Sequence, residues 1–414
     1  MTSALLRNRN FVLLWLAQII SKLGDVFYNV AIMVTIFERT GSALQTAGVM
    51  VASALPSFLL GPVAGVLVDR YPRKAVMLSM DLLRAGLVGL LLLAGNDGGT
   101  ISVWSVYLIV AGLSAASTFF EPARLSILPS LVGKEDLVRA NGLVMSTNQA
   151  VYALGYALGG VLILSIGYRT MIALDLASFL VAAGAVALIR LAPRPATGRR
   201  PLSRLPMHRA VADGLRYLRH HALARPLVTM EILEHFPHAI WTSALMLVFT
   251  QQALNAGPQF WGYQNAIFYG GQFVGATFAA VVAVHLARRP GWAIIGNAFL
   301  FGLLTISYAL SPTVGFALAL CFFFGPTSAM RDVAQDSLLQ SSVDQDVMGR
   351  LYATRNMFAN LAFMLAGLGF AWMADQVSVR WVYLIGGILY LGTSLFAFSS
   401  AAIRSSRISS APVA

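Results

Sequence analysis

From Phe11 onward the chain alternates between apolar stretches and short polar connections. Each stretch is close to the roughly 20 residues that cross about 30 Å of hydrocarbon as a helix. Twelve are expected, at 11–36, 44–68, 74–94, 101–121, 138–164, 168–190, 226–250, 258–286, 291–310, 313–330, 349–374 and 379–402. No run shows the period of two that a half-buried strand requires. The pattern predicts an all-α polytopic membrane protein. The first stretch has no small-residue cleavage site behind a short apolar core, so it is expected to stay as a helix.

The longest polar interval, 191–225, divides the twelve stretches into six and six. It opens rich in Pro and Arg, as a linker does. It then turns amphipathic between Met207 and His221, where Val211, Leu215 and Leu218 share a face opposite Arg209, Arg216 and Arg219. Such a helix suits the inner leaflet surface. The expected organisation is a six-helix half at 1–190, a basic cytoplasmic linker at 191–225, a second six-helix half at 226–403 and a tail at 404–414. The halves echo each other: "RNFV" at Arg9 and "RPLV" at Arg225 are offset by 216, Pro72 and Pro290 by 218, and "FFEP" and "FFGP", ending spans four and ten, by 204. Two pseudo-symmetric halves point to transport, with a substrate site at mid-depth.

Composition agrees with the pattern. The chain is 57% hydrophobic and 11% charged, where soluble proteins carry about 25% charged residues. The formal charge of +12 raises nucleic acid as a partner, but 24 of the 29 Lys and Arg fall in segments that become cytoplasmic when the N-terminus is inside. Arg39, Arg169 and Arg380 fall outside, and Lys22 and Arg84 lie in spans. That bias is a topology signal that places both termini in the cytoplasm. Membrane lipid is the expected partner of the basic surface, and no nucleic acid is expected. Cys321 stands alone, so no disulfide forms within the chain.

The chemistry must be sought among the few ionisable groups inside spans. No G-x-x-x-x-G-K-[ST] motif supports ATP hydrolysis, and neither HExxH nor a close Cys/His cluster supports a metal. On span one, Gln18, Lys22, Asp25 and Asn29 fall within about 60° of one another on an ideal helix. Lys22 and Asp25, i and i+3, can pair. They lie about 11 and 14 residues past Phe11, near mid-depth at 1.5 Å per residue. A lone charge there costs at least about 2.5 kcal/mol, so the pair either serves proton coupling or pins helices together.

Span seven raises the same choice through "MEILEHFPHAIW", residues 230–241. Glu231, Glu234, His235 and His238 share an arc about 100° wide. They are proton-coupling candidates; Glu231, near the cytoplasmic end, can instead meet water and the helix N-terminus. Their i, i+3 and i, i+4 spacing is also ordinary stripe geometry, so no metal is assigned. By the 216 offset, His238 corresponds to Lys22 and Glu234 to Gln18, and the two stripes are expected to flank one central cavity. Pro237, outside the arc, is expected to bend the helix. Asn148 and Tyr152 in span five, and Asn265, Tyr269 and Gln272 in span eight, join Gln18 and Asn29 as cavity candidates, or serve helix packing.

Between spans two and three, "GVLVDRYPRKAVML" resembles the loop signature of the major facilitator superfamily, through Gly65, Asp69, Arg70, Arg73 and Lys74. The resemblance implies a cytoplasmic gate in which Arg73 pairs with Asp69. Pro72 stands where that signature usually has Gly. In span five, "GYALGG" is similar to the antiporter motif of exporters in this superfamily, through Gly155, Gly159 and Gly160, with Tyr156 in place of a proline. "FVLLWLAQIISKLGDVFYNVAIMV" and "FEPARLSILPSLVGKEDLVRAN" resemble the bacterial drug and siderophore exporter branch that includes macrolide efflux proteins. Many drug exporters carry an Arg inside span four; none lies between Trp104 and Phe120 here.

The resemblance implies a monomeric, proton-coupled exporter of amphipathic small molecules in a bacterial inner membrane. It would use the proton gradient and no cofactor, and would not be an enzyme. A lysophospholipid mover or importer of the same fold, and a non-transporting sensor or scaffold, are the other readings. Retention of Lys22, Asp25, Glu234 and His235 argues against the last.

Overall fold

The Asn8 side chain accepts a hydrogen bond from the Phe11 amide and starts α1 (Arg9–Thr40). The helix ends where Gly41 takes a φ of 63° and returns its amide to the Phe37 carbonyl. This Asn-in, Gly-out punctuation satisfies end groups that hydrocarbon would leave bare. Ser42 then caps α2 (Ala43–Arg70) through the Gln45 amide. There follow α3 (Arg73–Ala94), α4 (Val103–Leu131), α5 (Leu137–Leu188), α6 (Met207–His220), α7 (Ala224–His238), α8 (Pro258–Val281), α9 (Pro290–Ala309), α10 (Val314–Ser342), α11 (Gln345–Gln376) and α12 (Val379–Ser399). The computed structural model describes residues 3–94, 102–132, 136–190, 207–281, 289–343 and 345–407.

Ten helical stretches among the described residues are long and apolar enough to cross a membrane. One of them holds two of the expected spans, because Gly167 in α5 takes a φ of 74° and a ψ of 170° and breaks the helix. With no Cβ, glycine adopts that conformation freely. The expected eighth span is α8, 24 residues long; Gln259, Gln264, Asn265 and Gln272 make it too polar to stand among the ten. The protein is thus an all-α, multi-pass membrane protein. Trp104, Leu108 and Leu395, 75%, 74% and 67% exposed, are surfaces for lipid rather than water.

Three expected boundaries are corrected. Span seven is not one helix: α7 stops at His238, just past Pro237, and a 3-10 turn (Ala239–Trp241), a helical stretch (Ser243–Val248) and a π turn (Phe249–Ala253) follow. Spans four and ten run about three turns further than expected, since α4 reaches Leu131 and α10 reaches Ser342 with Pro122 and Pro326 inside them. A proline removes one amide and frees the carbonyl four residues back, which a neighbouring helix can accommodate. At Pro326 that carbonyl belongs to Phe322, and a Cβ built on Gly271 of α8 would lie 2.5 Å from it. The missing side chain at Gly271 lets the α8 backbone cover the freed group.

The chain forms two compact units: 1–199 with 261–266, and 200–260 with 267–414. The N-terminal unit has a core around Phe11, Met77, Phe120, Ile127 and Val186. The C-terminal unit has one around Leu227, Ile294, Leu338, Leu351 and Ile403. The amphipathic linker helix is α6, and it packs against α11 rather than lying free on a leaflet. Leu218 is buried in the C-terminal core while Leu215, Arg216 and Arg219 stay exposed. His221 Nε2 donates to the Ser342 carbonyl at 3.0 Å, fixing the end of the linker. The Pro- and Arg-rich part of the linker, 191–206, lies outside the described residues.

At the far end of the C-terminal unit, one guanidinium ties several chain breaks together. Arg380 donates to the carbonyls of Ala309 (2.6 Å), Ser311 (3.0 Å) and Ala253 (2.8 Å) and lies over the Phe249 ring. These carbonyls end α9 and the π turn. Charge-assisted bonds of this kind contribute about 1.5–3 kcal/mol each, net of competition with water. Arg380→Gln is therefore expected to destabilise the protein by about 2 kcal/mol or more. A lowered thermal midpoint in detergent micelles checks this; an unchanged midpoint would show that water replaces the guanidinium.

Candidate functional site: a charged cavity in the C-terminal unit

Glu231, Glu234, His235 and His238 recur on α7 at spacings that stack side chains on one face. Across from them, α10 presents Arg331 and Gln335 one turn apart, with Asp332 and Asp336 beside them, and α11 adds Arg355 and Asn356. Together these residues line a cavity of about 340 Å³. Only the extension of α10 beyond Pro326 makes this possible.

Two similar bridges cross it. Arg331 Nη1 lies 3.1 Å from Glu234 Oε1 while its Nη2 lies 2.8 Å from Asp332 Oδ1. Gln335 donates to the second Glu234 oxygen at 3.4 Å. Arg355 Nε donates to Glu231 Oε1 at 2.6 Å, Nη2 meets the same oxygen, and Nη1 reaches Asp336 at 2.8 Å. Each arginine thus joins a buried α7 glutamate to a wetter α10 aspartate. The glutamate side chains are 3% and 9% exposed, the aspartates 52% and 44%. Glu231 therefore does not rest on water and a helix N-terminus as one sequence reading allowed; it is ion-paired in the interior.

The two histidines differ. His235 Nδ1 sits 2.7 Å from the Glu231 carbonyl. A carbonyl cannot donate, so Nδ1 carries the hydrogen and Nε2 is left for the cavity. His238 Nδ1 lies 2.9 Å from the Tyr390 hydroxyl, and its ring packs near Phe301 and Phe363. No group of three or more His, Cys, Asp or Glu among the described residues is arranged to hold a metal ion. Four carboxylates, two guanidiniums and two imidazoles thus share one cavity.

Other predicted residues fall elsewhere. Lys22 does not form the expected ion pair with Asp25; its Nζ lies 3.6 Å from Glu121 on α4, which Arg124 also holds at 2.7 Å. Asp25 stays the strongest electrostatic neighbour of Lys22, while α4, continuing past Phe120, brings the Glu121 carboxylate within ion-pair distance. Tyr152 is among the groups around Lys22. Gln18 is buried, Asn148 is half-buried, and Asn29 Oδ1 has no hydrogen-bond partner among the described residues. Asn265 donates to the Trp261 carbonyl within its own helix, while Tyr269 and Gln272 are half-buried. None of these nine lines the C-terminal cavity.

The two motifs show packing roles. Arg73 donates to the Ser126 carbonyl on α4 at 2.7 Å, and Lys74 caps α5 through the carbonyls of Ala187 and Ile189, both at 2.7 Å. Arg70 is exposed, and the side chains of Gly65 and Asp69 lie outside the described residues, so the Asp69 gate does too. Gly155 and Gly159 face Val26 and Val30 of α1, where an added Cβ would lie 3.0 Å from each. Gly160 lies against Gly262, and Tyr156 makes an edge contact with Trp261.

Sequence reasoning missed Arg331, Asp332, Gln335, Asp336 and Arg355. The signal of the first four was present in "RDVAQD": polar residues repeating at i and i+4 belong on a helix, not in a turn.

Two sets of apolar spanning helices, with buried charge around a cavity inside one of them, define a membrane transporter of the major facilitator type rather than an enzyme. Within that class the chain belongs to the transmembrane secretion effector family, whose profile matches residues 1–412. It is 26% identical over 403 residues to YjbB of Bacillus subtilis, an uncharacterised MFS-type transporter, covering 95% of this chain and 96% of that one. Macrolide efflux protein A of Streptococcus pyogenes is 26% identical over 385 residues, covering 92% and 93%. Among solved structures, a point mutant of the nucleoside transporter NupG aligns with a TM-score of 0.75 at 11% identity, over 95% of this chain and 99% of that one. The last likeness speaks to fold alone.

The bridge geometry sets an expectation for stability. Arg331→Met strands Glu234 in the interior, which costs about 3–5 kcal/mol when one partner of a buried pair is removed. Adding Glu234→Leu removes the stranded charge, and the double variant is expected to recover most of the loss. Thermal unfolding in lipid nanodiscs measures both; additive losses would mean that the two side chains act independently.

Proposed function

We propose that the protein is a proton-coupled exporter of amphipathic small molecules, such as drugs, macrolide-like compounds or siderophores. It works as a monomer in a bacterial inner membrane with both termini in the cytoplasm, by alternating access of its two halves and with no cofactor beyond the proton gradient. The carrying observation is the pair of arginine bridges, each with a buried glutamate on one side and a wet aspartate on the other. The efflux name of the streptococcal relative supports the direction and the substrate class.

The bridges allow a glutamate to take a proton without stranding a guanidinium. When Glu234 is neutral, its hold on Arg331 weakens, and Arg331 keeps Asp332. Arg355 and Asp336 do the same for Glu231. His235 Nε2 offers a second proton acceptor in the same space. A proton entering down about 150 mV supplies about 3.5 kcal/mol, scaled from about 2.3 kcal/mol per charge per 100 mV. A hundredfold substrate gradient needs about 2.7 kcal/mol. The proton suffices. A cavity of about 340 Å³ is within the usual range of small-molecule sites, at its smaller end.

Glu234→Gln and His235→Ala are expected to uncouple transport. Everted vesicles loaded with a radiolabelled macrolide would keep energy-independent exchange, while an imposed pH gradient no longer drives accumulation. Wild-type gradient-driven uptake in both variants would reduce the acid/His stripe to packing. Absence of uptake by the wild-type protein would remove macrolides from the substrate class.

A further inference from the structure

The N-terminal unit holds a second buried charge group, apart from the cavity above. Asp81 and Arg84 lie one turn apart on α3, with Arg84 Nη1 3.3 Å from Asp81 Oδ1. The guanidinium is clasped by two rings, 4.3 Å from the centroid of Phe120 on α4 and 5.5 Å from that of Phe179 on α5. Asp175 approaches from α5 and Asp25 from α1, both within electrostatic reach of Arg84. Tyr28, one turn after Asp25, faces Asp175. Gly24 makes the approach possible: a Cβ there would lie 2.6 Å from Asp175 Oδ1 and 2.2 Å from Ser178 Oγ. Any other residue at 24 would displace the carboxylate.

Counting charge is decisive. The ionisable groups that face one another across α1, α3, α4 and α5 among the described residues are the acids Asp25, Asp81, Glu121 and Asp175 and the cations Lys22, Arg84 and Arg124, with the phenols of Tyr28, Tyr152 and Tyr168 beside them; Arg39, which acts on Tyr168 alone of these, is exposed and left out of the count. Four carboxylates against three cations leave one negative charge unmatched. Asp81 and Asp175 are 0% and 1% exposed, where an unmatched ionised carboxylate costs far more than a neutral one.

A second observation is independent of that count. Asp81 Oδ2, Asp175 Oδ2, Tyr28 Oη and Arg84 Nε are buried with no hydrogen-bond partner among the described residues. Native interiors satisfy such atoms, and a carboxyl that carries a proton becomes a donor as well as an acceptor. A metal ion is a poorer fit, since the described acids do not gather as a ligand set.

We propose that Asp25, Asp81 and Asp175, set around Arg84, form a proton-binding site in the N-terminal unit that holds one shared proton at neutral pH. Arg84 is the fixed counter-charge. The Lys22–Glu121 pair, with side chains 25% and 38% exposed, is the wetter end of the same group and the side from which a proton is exchanged. The site needs no substrate and no assumption about export, so its failure and that of the exporter reading are separable.

The test is infrared spectroscopy of the full-length protein in lipid nanodiscs at neutral pH. A protonated carboxyl shows a C=O stretch that carboxylates lack, and deuteration shifts it. Because one proton balances one excess charge, Asp81→Asn, Asp175→Asn and Asp25→Asn should each abolish the same single-acid contribution. Surface Asp136→Asn should leave the band unchanged, and raising the pH should erode the wild-type band. Gly24→Ala, which keeps every acid and displaces Asp175 together with Ser178, should shift it, and serves if an Asn variant fails to insert. A band unchanged in both Asp81→Asn and Asp175→Asn overturns the proposal and leaves an ion-pair network that pins α1, α3 and α5. A band present in choline chloride but lost in sodium chloride also overturns it, assigning the site to a metal cation.

Discussion

A charge withdrawn from water must meet its opposite, and this constraint shapes both units more than any apolar contact does. Lipid is as apolar as the side chains facing it, so burial of Leu and Val cannot by itself tell one helix where to dock on another. Ion pairs can. Glu234 on α7 has its partner on α10, and Glu231 has its partner on α11. The three helices are held in register by two guanidiniums. In the N-terminal unit Lys22 draws α1 to Glu121 on α4, and Arg84 draws α3 toward carboxylates from α1 and α5.

Both units reach this arrangement by the same device. A proline near the middle of a long helix, Pro122 in α4 and Pro326 in α10, leaves the helix intact and carries polar residues onward. Glu121 and Arg124 flank the first; Arg331 and Asp332 follow the second within two turns. The "FFEP" and "FFGP" echo is therefore more than a shared turn. It marks where each half converts an apolar span into a charged helical extension.

This device also explains what the sequence hid. The spans and the α7 stripe were legible, because apolar length and helical period leave a strong trace. The partners of the stripe were not, because Pro326 looks like a stop and "RDVAQD" looks like a cytoplasmic turn that obeys the charge bias. Counting Arg331 and Arg355 with the cytoplasmic cations concealed the two residues on which the cavity depends. The nearest contact of Lys22 was hidden for a related reason: local spacing shows that Lys22 and Asp25 are neighbours, but not that a carboxylate from another helix comes within ion-pair distance. Asp81, Arg84 and Asp175 carried only a faint signal, one ionisable residue or pair in each otherwise apolar run.

The two charge groups differ in a way that bears on mechanism. In the C-terminal cavity each arginine has a spare partner in water, so neutralising a glutamate leaves no cation stranded and the local structure can change hands at little cost. Around Arg84 no such spare exists among the described residues: Asp81 and Asp175 are both buried, and the guanidinium is clasped between Phe120 and Phe179. A group built that way resists rearrangement of its cation and responds instead through the protonation of its acids. The C-terminal group suits an exchange of partners during a cycle, and the N-terminal group suits retention of a proton in a rigid setting. The same rule of matched charge, applied with and without access to water, yields two arrangements: exchangeable bridges in one unit and an enclosed cation in the other.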